Sequence, residues 1–141
     1  MRFVLDNSVV MRWLFGDGSD ADNAYAQAVL QAMTDPHATA LVPSVWPLEM
    51  ANVLTKAESK GLLSEARSSA FVGVIQRMAI RVVPGTASHA LGDTLQLARR
   101  FKLSSYDAAY LELALREGVP LATLDKELKR AAKKTGVELF G

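Results

Sequence analysis

The sequence predicts an α/β fold in which a central parallel sheet carries helices on both faces. Short, almost uninterrupted apolar runs at residues 2–5, 39–42, 80–83 and 121–124 have the length and composition of strands buried on both sides. Between them lie longer stretches whose apolar residues recur at helical spacing. Strands alternating with helices join through right-handed crossovers and so enter one parallel sheet.

Each element has its own local reason. Arg2-Phe3-Val4-Leu5 opens the chain as a strand, and Asn7-Ser8 supplies cap chemistry for a short helix through Leu14. The Gly16-to-Asp20 loop precedes an amphipathic helix with Ala21, Ala24, Tyr25, Ala28, Val29, Ala32 and Met33 on one face. Thr39 to Val42 forms the next strand, closed by Pro43. Ser44 caps a helix that tolerates Pro47 in its first turn and places Glu49 and Asn52 on a common face. Gly61 ends it, and Ser64-Glu65 starts a helix striped with Ala66, Ala70, Phe71, Val74, Ile75 and Met78. Ile80 to Val83 is a third strand, and one helix is expected from about Thr86 to Phe101. Another starts at Ser104 with Tyr106, Ala109, Tyr110, Leu113 and Ala114 facing inward. Leu121 to Leu124, a basic helix and the run Val137 to Phe140 complete the chain.

With 141 residues, 50% of them apolar and 22% charged, the chain is expected to form one domain, 1–141, with a substantial core. It has no cysteine, which excludes a disulfide framework and a thiolate metal site and suits a reducing cytoplasm. No apolar run has the length of a membrane span, and Met1 to Leu5 passes straight into Asp6 without the pattern of a signal peptide. The expectation is a soluble, cytoplasmic protein with no membrane partner. A net charge of +1 averages acidic and basic regions, so local clusters must identify the partner.

Four acidic residues stand where a parallel sheet places ligands, outside the carboxyl ends of its strands. Asp6 and Asp125 directly follow strands; Glu49 and Asp107 lie near the starts of helices. Any one alone is readily explained locally, Asp6 and Asp125 as turn or cap residues and Asp107 as the acidic end of a Ser-x-x-Asp capping box. Glu49 is harder to explain this way, because Trp46, Leu48, Met50, Ala51, Val53 and Leu54 surround it and a buried unpaired carboxylate is expensive. Carboxylates gathered in one pocket call for a divalent cation with oxygen ligands, Mg²⁺ or Mn²⁺, and so for metal-assisted phosphodiester hydrolysis.

Leu5-Asp6-Asn7-Ser8, then Pro43-Ser44 through Leu48-Glu49-Met50-Ala51-Asn52-Val53-Leu54, Tyr106-Asp107-Ala108-Ala109-Tyr110-Leu111, and Ala122-Thr123-Leu124-Asp125 with Leu128 together resemble the PIN domain. In order, spacing and length the chain looks most like the VapC toxins of bacterial and archaeal toxin–antitoxin pairs, with Asn7 where many relatives carry Thr or Ser. The resemblance covers nearly the whole chain. It implies a PIN-like, Rossmann-like domain and a metal-dependent endoribonuclease that leaves a 3′-hydroxyl and a 5′-phosphate without a protein nucleophile. Asp6 and Asp107 would be the principal ligands of Mg²⁺ or Mn²⁺, completed by Glu49 and Asp125 directly or through water, with Asn52 and Thr123 supporting them. It also implies a homodimer and a VapB-like antitoxin whose C-terminal segment lies in an apolar groove and sends a basic side chain toward the carboxylates.

A nuclease must hold a polyanion beside its acidic pocket. Lys126, Lys129, Arg130, Lys133 and Lys134 follow Asp125, and Arg99, Arg100 and Lys102 precede Asp107. Contacts from these residues to phosphate would position an RNA of the tRNA or rRNA class with little sequence reading; late-helix cations also simply complement the helix dipole. His37 and His89 lack ligand-like spacing and are expected at the surface or in loops, while Trp13, Phe15 and Trp46 are expected in the core. A haloacid-dehalogenase-like phosphotransferase would need a second Asp where Ser8 stands. A response-regulator receiver would need an early acidic pair and a late Lys. The alternative that shares the fold is a catalytically silent PIN-like module that binds RNA or protein.

Overall fold

Phe3, Val4 and Leu5 are completely buried, and the strand they form, β1 (Arg2–Leu5), runs through the middle of the sheet. The computed structural model describes residues 1–141. β1 pairs in parallel with β2 (Thr39–Pro43) on one side and β4 (Leu121–Ala122) on the other, and β3 (Ile80–Val83) adds to β2, giving the order β3-β2-β1-β4. The register sets Val4 beside Leu41 and Leu121. The alternation read from the sequence is thus an α/β domain with a central four-stranded parallel sheet and helices on both faces.

The helices are α1 (Asn7–Phe15), α2 (Asp20–Ala32), α3 (Trp46–Ser59), α4 (Glu65–Arg77), α5 (Thr86–His89), α6 (Leu95–Phe101), α7 (Ser105–Glu117) and α8 (Lys126–Thr135). Central among them is α7, buried without interruption from Ala108 to Ala114 and packed on β1, β2 and β4. It begins where Ser104 accepts a hydrogen bond from the Asp107 amide. No helix is long and apolar enough to cross a membrane.

Several local expectations give way to tertiary structure. The helix expected from Thr86 to Phe101 is broken: Ala90–Thr94 forms a π turn, and Gly92 (φ −110°, ψ −107°) leaves helical geometry. Glycine, with no Cβ and a high entropic cost in a helix, is where such a break is cheapest. Ser44 does not cap α3; Val45 precedes the helix and the Ser44 amide donates to Thr86 Oγ1 at 3.1 Å. In α2 the buried stripe is Ala26 and Val29, while Ala21, Ala24 and Ala28 are exposed. In α4 Ile75 is buried, but Ala66, Ala70 and Val74 are exposed. Small side chains recur at helical spacing on either face, so alanine periodicity indicates the helix better than its orientation.

β4 stops at Ala122 rather than Leu124 because the next backbone amides turn to side chains. Leu124 N donates to Ser8 Oγ at 2.9 Å and Asp125 N to Thr123 Oγ1 at 3.0 Å. The C-terminal run covers the outer side of β4: Leu139 bridges Leu121, and the Phe140 ring stacks on Phe3 at 4.1 Å between centroids.

Candidate functional site

The chain leaves β1 at Asp6 and β4 at Asp125, and because these strands are parallel neighbours both residues emerge at the same end of the sheet. α3 and α7 begin at that end, bringing Glu49 and Asp107 in their first turns. Charges within the group act on Asp6, Glu49 and Asp107. Burial pushes the Asp6 carboxyl up to about 6; hydrogen bonds from Ser8 and Thr123 pull it down, while the charges of Asp107 and Asp125 add to the rise. Burial also raises Glu49, with Tyr110 opposing and Asp6 and Asp107 adding to it, and burial followed by the charge of Asp125 raises Asp107. Asp6 and Asp107 thus feel or exert charge toward every other acid of the group, whereas Glu49 and Asp125 have no such link to each other.

Asp6 is only 4% exposed and is not a helix cap in function, since its side chain makes no capping bond to α1. Its Oδ2 accepts from Ser8 Oγ at 2.6 Å and Thr123 Oγ1 at 2.7 Å. Each hydroxyl has one proton, and each accepts in turn from a backbone amide, Leu124 N on Ser8 and Asp125 N on Thr123. The 3.3 Å approach between the two hydroxyls is therefore a packing contact, with no proton left to share. The arrangement fixes the Asp6 side chain and leaves Oδ1 without a hydrogen bond in the chain. Asp125 has a divided role: Oδ1 accepts from Leu128 N at 2.8 Å as the cap of α8, and Oδ2 is uncommitted.

Glu49 is half-buried, and its Oε1 accepts from the Tyr110 hydroxyl at 2.7 Å. Burial, then the charges of Asp6 and Glu49, lift the Tyr110 phenol far above its usual range, so it remains a donor. The sequence assigns Ser8 to a helix cap and Tyr110 to the core. The only cue to their further role is proximity, Ser8 two residues after Asp6 and Tyr110 one helical turn after Asp107.

Thr123 sits inside this hydrogen-bond set, but Asn52 does not. Asn52 is exposed, and its side chain makes no hydrogen bond within the chain. Tyr106, expected to face inward, is exposed as well. At the start of α7 the inward positions belong to the fully buried Ala108 and Tyr110. Asn52 and Tyr106, with Val45, Leu48 and Glu49, line a cleft of about 420 Å³ next to the carboxylates. A separate cleft of about 470 Å³, bordered by His89, Asp93, Glu112 and Arg116, includes none of the four acids. There the buried Glu112 carboxylate is paired with Arg116 at 2.9 Å.

The basic clusters at the end of α6 and along α8, distant in sequence, meet in space. Arg100, Lys102, Arg130 and Lys134 border one cleft of about 210 Å³ together with Glu127. Arg130 is paired with Glu127 at 2.9 Å. Arg99, Lys126 and Lys133 are exposed, Lys129 is partly covered, and none of them borders that cleft. His37 is exposed, and His89 faces Asp93 at 3.8 Å. Trp46 is buried; Trp13 and Phe15 pack against the core, with Trp13 Nε1 donating to Ala26 O at 2.8 Å.

The donors available to a cation at this site are carboxylate oxygens, the type preferred by Mg²⁺ and Mn²⁺. No three acidic or histidine side chains are drawn together into a finished ligand cage. The donor chemistry fits the ion; the final approach of the ligands is not built in.

Comparison with known proteins agrees with this architecture. The profile of the PIN domain family matches residues 3–134. The crystal structure of VapBC2 from Rickettsia felis bound to a DNA fragment from their promoter superposes with a TM-score of 0.69 at 12% identity, covering 99% of this chain and 98% of that one. The crystal structure of PAE2754 from Pyrobaculum aerophilum superposes with a TM-score of 0.65 at 20% identity, covering 93% and 79%. At these identities the likeness is one of fold. No curated protein matches the sequence.

Proposed function

The chain belongs to the PIN domain family, and from that premise we propose that it is a metal-dependent endoribonuclease, the toxin of a VapBC-type toxin–antitoxin pair. PIN domains are generally nucleases. The observation that carries the reading is the convergence of Asp6, Glu49, Asp107 and Asp125 at one end of the sheet, where neighbouring acids add to the burial that raises the proton affinity of Asp6, Glu49 and Asp107. A binding module has no use for four repelling carboxylates, two of them braced by buried hydroxyls.

In this reading Asp6 and Asp107 hold Mg²⁺ or Mn²⁺, with Glu49 and Asp125 beside them. When bound, the ion supplies positive charge against the scissile phosphate and makes water nucleophilic near neutral pH. The chain's own contribution is positioning. Ser8 and Thr123 occupy Asp6 Oδ2 and leave Oδ1 for the ion; Tyr110 holds Glu49 by Oε1 and leaves Oε2; the α8 amide of Leu128 holds Asp125 by Oδ1. Such outer contacts fix ligand orientation. Arg100, Lys102, Arg130 and Lys134 offer a phosphate-binding face in a cleft that none of the four acids borders, which Arg99, Lys126 and Lys129 extend over the surface, and they would position RNA without reading sequence.

The likeness to VapBC2, solved as a toxin–antitoxin complex on DNA, supports a VapB-like antitoxin as partner, and the reading includes a homodimer in the cytoplasm. An Arg or Lys from the antitoxin would compete with the metal at Asp6. Equal binding of the antitoxin by wild type and Asp6→Asn would remove that part of the reading. The nuclease itself is tested with Asp107→Asn. The variant should stay folded by circular dichroism, lose Mn²⁺ binding and lose RNA cleavage; a variant that cleaves at the wild-type rate would leave the silent binding module as the better account.

A further inference from the structure

Each of two site carboxylates is preceded by a large apolar residue that the fold leaves in solvent. Leu48, before Glu49, is 75% exposed, and Tyr106, before Asp107, is 58% exposed. They belong to different helices, yet both border the cleft of about 420 Å³ that also includes Val45, Glu49 and Asn52. Exposed apolar side chains that border one cleft mark a surface suited to an apolar occupant. We propose that this cleft receives one nucleobase of the RNA, flanking the scissile phosphate, with its face on Tyr106 and Leu48 and its edge on the Asn52 amide. The proposal rests on the nuclease reading for its substrate class.

Charge chooses the occupant. The cleft has no Lys or Arg among its lining residues and includes Glu49, so it repels phosphate, while Arg100, Lys102, Arg130 and Lys134 border a different cleft. A strand crossing the carboxylates with its backbone toward that basic cleft has only bases to place here. A nucleobase matches the walls: flat apolar faces for an aromatic ring and an aliphatic side chain, and a rim of donors and acceptors for an amide that has no partner in the fold. Glu49 forms a wall of this cleft and is also bonded to Tyr110 inside the carboxylate site. A base seated against it therefore lies next to the reacting centre, and the cleft selects the nucleotide beside the cut.

The test uses a randomised single-stranded RNA pool carrying 2-aminopurine, whose fluorescence is quenched on stacking, read alongside cleavage of the same pool in Mn²⁺. Wild type and Tyr106→Phe should quench, and Tyr106→Ala and Leu48→Ser should bind roughly tenfold more weakly with the quench lost. Leu62→Ala, at an exposed apolar position remote from the cleft, should behave as wild type. Equal quenching by wild type and Tyr106→Ala would overturn the proposal. So would a change from dimer to monomer in Tyr106→Ala and Leu48→Ser, which would assign the cleft to a second copy of the chain. Quenching without cleavage would sink the nuclease reading and leave the base site standing; cleavage that Tyr106→Ala performs as well as wild type would do the reverse.

Discussion

At Asp6 the fold buries a carboxylate and surrounds it with further acids, and the two hydroxyls that brace it only partly offset that cost. Its pKa rises from 3.8 to about 6, so the native protein holds this proton more tightly than the unfolded chain does. As pH rises through that window the unfolded chain ionises first, stability falls, and the full deficit is present above the native value. Asp6→Asn removes it. In EDTA at about pH 7.5 the variant should be more stable than wild type by roughly 2–3 kcal/mol, and the two should converge below about pH 4; thermal denaturation at both pH values checks this. Thr123→Val acts in the opposite sense on function, since it removes a donor to Asp6 Oδ2 and the acceptor of the Asp125 amide. Its Mn²⁺ affinity should fall roughly 10- to 100-fold, as measured by titration. An affinity equal to wild type would show that the hydroxyl serves only the fold.

The element that organises the site is α7, which carries Asp107 and Tyr110 at one end and the Glu112–Arg116 pair at the other. Glu112 is nearly inaccessible, and its carboxylate has Arg116 as its only charged partner, which also donates to Pro84 O at 3.2 Å. Arg116→Ala leaves a buried charge unpaired and should cost about 3 kcal/mol or more, whereas Glu112→Gln, which leaves no buried charge behind, should cost less. Urea denaturation of both variants separates the two costs. α7 also shows what sequence can reveal at this scale. Its span, its Ser104 cap and its apolar interior are all local signals. Tyr106 is not, because an aromatic at the first turn of a buried helix faces the core or the cleft according to how α3 packs beside it. The break at Gly92 lies inside a run of good helical periodicity, and only the packing of the flanking segments decides that the helix turns there.

Across the whole molecule, the common placement of the acids was legible because parallel-sheet topology alone sends Asp6 and Asp125 to one end, and the helices after β2 and before β4 start there too. The hydroxyls of Ser8 and Tyr110 were not, since the first also accepts from the Leu124 amide just past the end of the neighbouring strand, 116 residues away, and the second donates to Glu49 on another helix, 61 residues away. The meeting of Arg100 and Lys102 with Arg130 and Lys134 is likewise a tertiary fact, and it has a consequence in salt. On the proposed phosphate-binding role of this face, Lys102→Gln combined with Lys134→Gln would remove two counterion-releasing contacts. The slope of log affinity for single-stranded RNA against log salt should fall by roughly 1.4, with cleavage-site choice unchanged; filter binding across a salt series measures it. The central claim, that four carboxylates form one metal-dependent ribonuclease site, is tested most directly by incubating purified protein with a mixed tRNA and rRNA pool in Mg²⁺ or Mn²⁺, beside EDTA and Asp6→Asn controls. Discrete products that disappear in both controls are the predicted result. Products that persist in EDTA or in Asp6→Asn, or RNA left intact by a wild-type protein that binds no Mn²⁺, would contradict it.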